Sequence, residues 1–252
     1  MKYESSFKSE ADNLEISIMA VIPDKKPYRA VVQLVHGMSE HKERYLPFMQ
    51  YLAKSGYVTV IHDHRGHGKS VKYQDDLGFT YGGGAQAMLQ DIRTVNRKIH
   101  AYYPELPLIL MGHSMGSLAV RAFVAEHDSC ADMLIVCGSP SYNTAMPLGV
   151  AIAKTEKAVF GPRHRSKLIE TMSFGAGAMK FRKDKRCTAW ICSNPDVAKE
   201  YEESELCGFT FTDDAYLALF ELMKRAYDVE HFSCTNPDMP VLFVSGAEDP
   251  CL

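Results

Sequence analysis

The stretch LILMGHSMGSLAV, residues 108–120, indicates a buried strand that runs directly into a helix. One serine, Ser114, stands at the turn between two glycines, Gly112 and Gly116. Glycine suits both flanking positions because a Cβ atom there would collide with neighbouring backbone. The pattern predicts a sharp turn that pushes the Ser114 hydroxyl out at the carboxyl end of the strand, followed by a helix over Met115–His127.

The overall composition fits one α/β domain that carries an insertion. The chain has 252 residues and 46% hydrophobic content, enough to bury a large core. A net charge of −3 gives no basic surface of the kind that nucleic-acid-binding domains use, so we expect no nucleic-acid partner. The first residues lack an apolar segment, and no run approaches the roughly 18 apolar residues of a membrane span. Seven scattered cysteines without a C-x-x-C pair lead us to expect a soluble protein of the reducing cytoplasm.

Strand and helix patterns alternate along most of the chain. Residues 5–8 and 14–22 flank a polar turn and predict an opening antiparallel hairpin. Apolar runs then predict parallel strands buried on both faces, at residues 30–35, 57–61, 106–111, 133–136 and 241–244. Between two of them, steps of three and four predict an apolar stripe on a helix that ends before Pro104, formed by Met88, Ile92, Val95, Ile99 and Tyr102. The alternation predicts a doubly wound α/β fold with a mostly parallel sheet.

The alternation stops between residues 141 and 208, which contain no convincing buried strand. We predict that this segment is an inserted subdomain between a first core part, residues 1–140, and a second, residues 209–252. Its first half is basic, which indicates either a solvated charged face, the interpretation we favour, or a site for an anionic lipid or substrate. The charged residues concerned are Arg163, Arg165, Lys167, Lys180, Arg182, Lys183, Lys185 and Arg186, against Glu170 and Asp184.

The turn at Ser114 also predicts where a developing negative charge would be held. Two backbone N–H groups are needed to stabilise the oxyanion that forms when a hydroxyl attacks a carbonyl. The helix start supplies the N–H of Met115, and the loop after the strand 30–35 supplies that of Met38. In that loop we expect His36 to fix the backbone by hydrogen bonding, with a role as base as the less favoured alternative. The residues expected to line the substrate site beside these donors are Gly37 and His113.

Four motifs, in the order HGMSEHKERY, DHRGHGKS, GHSMGS and SGAED, resemble the monoacylglycerol lipase and lysophospholipase group of α/β-hydrolases. The resemblance covers residues 31–252 and places the insertion where this group carries its lid. It implies an eight-stranded sheet and an acid after the strand 241–244, where an ordinary surface aspartate is the other interpretation. The site residues that it implies are Ser114 as nucleophile, Met38 and Met115 as oxyanion donors, Asp249 as the acid, and Glu248 as the alternative acid.

Two further patterns resemble ligand-binding motifs without meeting their requirements. The segment RGHGKS ends like a phosphate-binding loop, but that motif requires glycine at position 63, which is Asp63. The cluster of His62, Asp63, His64 and His67 has metal-ligating side chains, yet strand alternation turns His62 and His64 away from Asp63. The resemblance assigns this stretch a structural turn. We therefore expect no metal site and no cofactor.

The expected chemistry is two-step acyl transfer through Ser114. The leading substrate is a carboxylic ester or lipid in which an acyl chain is joined to a small alcohol such as glycerol, and we also expect transient contact of the lid with a membrane surface. Alternatives are a peptidase or thioesterase of the same fold, or a non-catalytic binding protein. Apolar residues of the insertion favour either an acyl slot or an ordinary lid core; they are Met172, Phe174, Met179, Phe181 and Trp190.

The base is the part of this chemistry that the sequence does not supply. The group carries its base histidine some tens of residues beyond the acid, whereas the sequence has no histidine after His231. We therefore expect the proton acceptor for Ser114 on a continuation beyond Leu252. Among the histidines present His231 is the least implausible substitute, because His113 lies across the turn and His36 belongs to the oxyanion loop.

Overall fold

The computed structural model describes residues 1–180, 191–249 and 251, with backbone alone for 174–180. Its described residues form one sheet of seven strands, where the resemblance implied eight. The strands are β1 (Lys2–Lys8), β2 (Glu15–Val21), β3 (Ala30–Val35), β4 (Tyr57–His62), β5 (Leu108–His113), β6 (Met133–Cys137) and β7 (Val241–Val244). Their order is β1-β2-β4-β3-β5-β6-β7. The hairpin β1–β2 joins β4 antiparallel, and the strands from β4 to β7 run parallel.

Helices cover both faces of this sheet. They are α1 (Leu46–Lys54), α2 (Gly84–Tyr102), α3 (Met115–His127), α4 (Met146–Phe160), α5 (Lys167–Lys180), α6 (Pro195–Glu203) and α7 (Asp213–Tyr227). The larger core joins one face of β3 to α2, α3 and α7, with Val31 and Phe123 among its members. A smaller core on the other face joins Val32 and Leu34 to Met49 of α1. Because successive strand residues point to opposite faces, the sheet is sandwiched, and the predicted doubly wound α/β fold is confirmed.

Two predictions about burial are wrong. The run 241–244 was expected to be buried on both faces, but Phe243 in β7 is 64% exposed. β7 pairs with β6 alone, and its residues belong to neither core in the described structure. Tyr102 was expected on the buried stripe of α2 and is 79% exposed. The helix ends there, and the ring of the next residue, Tyr103, which has a non-helical backbone, packs with its centroid 6.2 Å from that of Tyr28.

The segment 141–208 contains α4, α5 and α6, and its described part has no strand. Two of its basic side chains attach it to the loop before α2. Arg163 pairs with the carboxylate of Asp76, and Arg165 donates to the carbonyl of Leu77 at 2.7 Å. These arginines therefore serve tertiary contacts, whereas Arg182, Lys183, Lys185 and Arg186 lie outside the described residues. None of the helices in the described ranges has the length and apolarity needed to cross a membrane.

Candidate active site

The turn between β5 and α3 holds Ser114 in a conformation that few serines adopt. Its backbone angles are φ 52° and ψ −119°, in a strained region, and its N–H donates to the carbonyl of Cys137 at 2.9 Å. Both flanking glycines are required by close backbone contacts. A Cβ atom on Gly112 would collide with the carbonyl of Gly116, and one on Gly116 would collide with the carbonyl of Val35. The half-buried Ser114 therefore stands at the carboxyl edge of the sheet, as the sequence predicts.

The loop after β3 lies directly against this turn. A Cβ atom on Gly37 would come within 3.2 Å of the Cβ of Ser114, so the two backbones are in close approach. Met38 follows Gly37, and no described residue accepts a hydrogen bond from its N–H. Met115 is the first residue of α3, where an N–H has no partner within its own helix. The two amides expected to hold an oxyanion thus flank Ser114 from neighbouring elements.

Asp249 lies in the turn after β7, at the same edge of the sheet as Ser114. Its Oδ2 atom is 3.5 Å from the point that a Cβ on Gly138 would occupy, and His113 Nε2 is 3.7 Å from that point. Gly138 directly follows Cys137, whose carbonyl accepts the Ser114 N–H. Burial and the charge of Asp249 together raise the pKa of the Cys137 thiol. The structure thus places Asp249 beside Gly138, next to the residue whose carbonyl accepts the Ser114 N–H, and Glu248 precedes Asp249 in the same turn.

Comparison with known proteins identifies the family of this chain. A family model described as serine aminopeptidase, S33, a hydrolase family, matches residues 26–252. The chain belongs to this S33 hydrolase family. A monoacylglycerol lipase of Mycolicibacterium smegmatis is 34% identical over 135 residues, which are 52% of this chain and 46% of that protein. The chain spans about half the length of the curated relatives it matches.

Solved structures show that this S33 hydrolase chain has the α/β-hydrolase fold. A lipase in its open form matches with a TM-score of 0.88 at 23% identity, over 100% of this chain and 82% of that one. A thermostable carboxyl esterase from Bacillus coagulans, in complex with glycerol, matches with a TM-score of 0.82 at 23% identity, over 97% of this chain and 90% of that one.

Glu40 is a residue of this S33 site that the sequence analysis did not single out. Its buried carboxylate accepts from the N–H of Gly37 at 2.6 Å and from the Tyr45 hydroxyl at 2.9 Å, and it pairs with Arg44. It also lies 3.3 Å from Nδ1 of His113. Burial opposes ionisation of Glu40, but the His113 hydrogen bond and the nearby charges outweigh it and lower the pKa to about 2. Glu40 therefore fixes the loop that carries Met38, and its position within HGMSEHKERY was the available signal.

The histidines considered from the sequence occupy three different places. His36 is fully buried, with Nδ1 2.8 Å from the Gly37 carbonyl and Nε2 accepting from the His64 N–H at 3.0 Å, so its nitrogens are engaged in fixing the loop. His113 contacts Tyr45 and Glu40 through Nδ1. None of the described histidines makes a hydrogen bond to the Ser114 hydroxyl.

His231 is in the wrong place to serve as the base. It follows α7, where the nearby N–H of Ser233 donates to the carbonyl of Ala125 at 2.6 Å. Ala125 belongs to the end of α3 remote from Ser114, and ten helical residues at 1.5 Å each separate the two positions by roughly 15 Å. The side chain is 78% exposed and pairs with Asp228. His231 therefore lies too far from Ser114 to act as its base, because it sits beside the opposite end of α3.

Residues 62–70, whose motifs resemble a metal or phosphate site, make contacts that hold the fold together. The Asp63 carboxylate accepts from the buried Lys42 ammonium at 2.6 Å and from the Lys69 N–H at 2.9 Å. The ring centroids of His62 and His64 lie 5.1 Å apart. Among the expected acyl-slot residues Met172 is 40% exposed, while the side chains of Phe174 and Met179, and all of Phe181 and Trp190, lie outside the described structure.

Proposed function

We propose that this chain is a serine hydrolase that cleaves carboxylic esters through an acyl-enzyme. The observation that carries the proposal is the strained turn at Ser114, flanked by the Met38 and Met115 amides. Strained backbone angles of this kind cost about 1–3 kcal/mol. Such strain is typical of a serine whose hydroxyl must project away from the backbone to react. The amide of Met38, which has no acceptor among the described residues, and that of Met115 at the helix start suit a negative charge that exists only during reaction.

The proposed reaction proceeds in two steps. The Ser114 oxygen attacks the ester carbonyl, its proton passes to a general base, and the carbonyl oxygen becomes an oxyanion held by the Met38 and Met115 amides. Collapse expels the alcohol, which takes up the proton, and leaves an acyl ester on Ser114. Water then attacks that ester and releases the acid. Asp249 is the group that would orient the base, because its carboxylate faces the same edge of the sheet.

Covalent labelling tests the nucleophile. A fluorophosphonate forms a bond from phosphorus to the serine oxygen and releases fluoride, and we expect a single adduct on the 252-residue chain that maps to Ser114 by peptide mass spectrometry. Ser114→Ala should abolish the adduct, whereas Ser55→Ala, at an exposed serine after α1, should leave it unchanged. A chain that stays unmodified, or is modified elsewhere, would support a non-catalytic binding protein instead.

The substrate class that we propose is an acyl ester of glycerol or of a related small alcohol. Support comes from the monoacylglycerol lipase relative and from large apolar side chains that the segment 141–208 leaves exposed. Those side chains are Tyr142, Leu148, Val159, Phe160, Leu168 and Met172. We propose that this segment acts as a lid that contacts the acyl chain and, transiently, the lipid surface that presents the substrate. We also propose that the protein acts in the cytoplasm.

A comparison of leaving groups separates this proposal from the peptidase that the family description also names. We expect the protein to release fatty acid from monoacylglycerols and not to release nitroaniline from aminoacyl nitroanilides, with activity lost in Ser114→Ala. Replacing Leu148 and Phe160 by serine should change the ranking of acyl-chain lengths, while Tyr51→Ser, at an exposed position on α1, should not. Faster turnover of the nitroanilides would identify a peptidase, and an unchanged ranking would remove the acyl-binding role from the lid.

A further inference from the structure

A second cluster of chemically active side chains lies away from Ser114, where the segment 141–208 meets the rest of the chain. It consists of Glu156 in α4, His164 in the turn between α4 and α5, and Asp213 at the first position of α7. We call these three residues the hinge cluster. The N–H of Asp213 donates to the carbonyl of His164 at 2.8 Å, so the backbone already holds the turn against α7. The hinge cluster thus joins α4 and the turn that follows it, both within the insertion, to the start of α7.

The spacing of the hinge cluster fits a single ion. His164 Nδ1 lies 2.9 Å from Asp213 Oδ2 and 3.9 Å from Glu156 Oε2, and the three ligating atoms all lie within 4.8 Å of one another. Four ligands placed tetrahedrally at zinc bond lengths of 2.0–2.2 Å stand about 3.4 Å from one another. The two measured separations bracket that value. The three ligating atoms are therefore close enough to share one ion after small side-chain movements.

Two oxygens of the hinge cluster lack a hydrogen-bond partner in the described structure. Asp213 is fully buried, and its Oδ1 atom has no hydrogen bond; the buried Oε2 atom of Glu156 has none either. Unpartnered buried carboxylate oxygens are costly, and two carboxylates beside one imidazole carry more negative charge than the imidazole can balance. Lys157, which follows Glu156 in the chain, is engaged with Asp214 at 2.6 Å. The start of α7 favours the charge of Asp213 but gives no partner to Glu156.

We infer that Glu156, His164 and Asp213 bind a divalent transition-metal ion such as Zn²⁺, which fastens α4 and the following turn to the start of α7. One imidazole and two carboxylates are a donor set of the kind that zinc accepts, whereas Ca²⁺ and Mg²⁺ favour oxygen ligands only. On binding, the Nδ1 proton of a neutral His164 moves to Nε2, which leaves Nδ1 free to ligate. The side chains of His164 and Glu156 are 31% and 22% exposed, so an ion can enter from solvent.

Binding of Zn²⁺ to the 252-residue chain, stripped of metal by chelator and kept reduced, tests this inference without relying on catalytic activity. We expect calorimetry to show one site per chain and thermal denaturation to show a midpoint that rises with Zn²⁺, because the ion binds the folded state. His164→Gln and Glu156→Gln should each weaken binding at least about tenfold, since loss of even a supporting residue of a metal site has effects of that order. CD spectra establish that each variant is folded.

His231→Gln is the matched control. His231 also pairs with a carboxylate, that of Asp228 at 2.7 Å, but it is 78% exposed and has no second acid bonded to it in the described structure, so its loss should leave Zn²⁺ binding unchanged. Glu156→Gln keeps the His164–Asp213 hydrogen bond and therefore tests the site even where His164→Gln does not fold. Zn²⁺ binding that both glutamine variants leave intact, no binding at all, or stronger binding of Ca²⁺ than of Zn²⁺ would each overturn the inference.

Discussion

At the scale of single residues, the site depends on positions where the backbone segments lie so close together that only glycine fits. Gly112 and Gly116 allow three backbone segments to meet at Ser114, and Gly37 allows the next loop to approach it. One side chain, Glu40, then fixes that loop by accepting the Gly37 N–H. The loop carries the Met38 amide, so its position controls one of the two proposed oxyanion donors.

Replacing Glu40 should therefore slow the labelling of Ser114 by a fluorophosphonate. Displacement of a reacting group by about 1 Å can cost a factor of 100, and we expect Glu40→Ala to lower the maximal inactivation rate about 10- to 100-fold with little change in probe binding. Glu40→Gln keeps an oxygen for the Gly37 N–H and should lose less. Glu10→Gln, on the exposed surface, serves as control. A wild-type labelling rate in Glu40→Ala would show that Glu40 does not position the loop.

At the scale of elements, the carboxyl ends of β3 and β4 are joined by buried imidazoles. The ring centroids of His36 and His64 lie 4.4 Å apart, those of His36 and His67 5.3 Å, and those of His62 and His64 5.1 Å. Burial lowers the pKa of His67 to about 4. Burial, reinforced by the charge of Lys42, lowers the pKa of His62 to about 4 as well. Burial also places the pKa values of His36 and His64 well below their ordinary range.

The free energy of unfolding should consequently decrease as pH falls from about 6.5 to 4. In that window the unfolded chain binds protons at these imidazoles and the folded chain does not, so acid favours unfolding; a shift of this size amounts to roughly 3 kcal/mol for one histidine. His62 has no hydrogen-bond partner in the described structure, so His62→Phe removes a proton site without orphaning a polar group.

Urea denaturation across this pH range measures the effect. The unfolding free energy of His62→Phe should depend less steeply on pH than that of the unmodified chain. The difference in slope should be at most about the contribution of one bound proton. His231→Gln, at an exposed histidine, should keep the original slope. An unmodified chain whose unfolding free energy is flat between pH 6.5 and 4 would show that these imidazoles do not stay neutral in the folded state.

At the scale of the whole molecule, a buried ionic network fastens the N-terminal hairpin to the core. Arg65, fully buried after β4, donates to Asp91 of α2 at 3.0 Å, to Asp12 at 2.9 Å and to the Ser9 hydroxyl at 3.0 Å. Ser9 and Asp12 lie in the turn between β1 and β2. One side chain therefore links three elements that are distant in sequence.

Arg65→Met should destabilise the protein by about 3–5 kcal/mol, because it leaves the buried Asp91 without its counter-charge. Adding Asp91→Leu should recover part of that loss, since the double variant buries no unpaired charge at this position. Arg97→Met, at an exposed arginine paired with Glu10, should change stability by less than about 1 kcal/mol. Chemical denaturation of the four proteins gives these values, and a loss below about 1 kcal/mol for Arg65→Met would contradict the role assigned to the network.

Local patterns in the sequence predicted the parts of this protein that depend on neighbouring residues. The strand Ala30–Val35 and the helix Met115–His127 have the bounds expected from apolar periodicity, and the turn at Ser114 follows from steric limits on its two flanking glycines. The resemblance of the motifs likewise predicted the family to which the chain belongs. Such features can be predicted from sequence because residues close together in the chain determine them.

Other features were decided by the tertiary structure. Periodicity marks an apolar face but does not say which element covers it, so the exposure of Phe243 and Tyr102 was not foreseen. The same reason applies to polar contacts: Glu40 meets His113, and Asp213 meets His164 and Glu156, only after crossovers bring separate elements together. A contact between residues far apart in sequence leaves no periodic signal, because its geometry is set by how whole helices and strands pack.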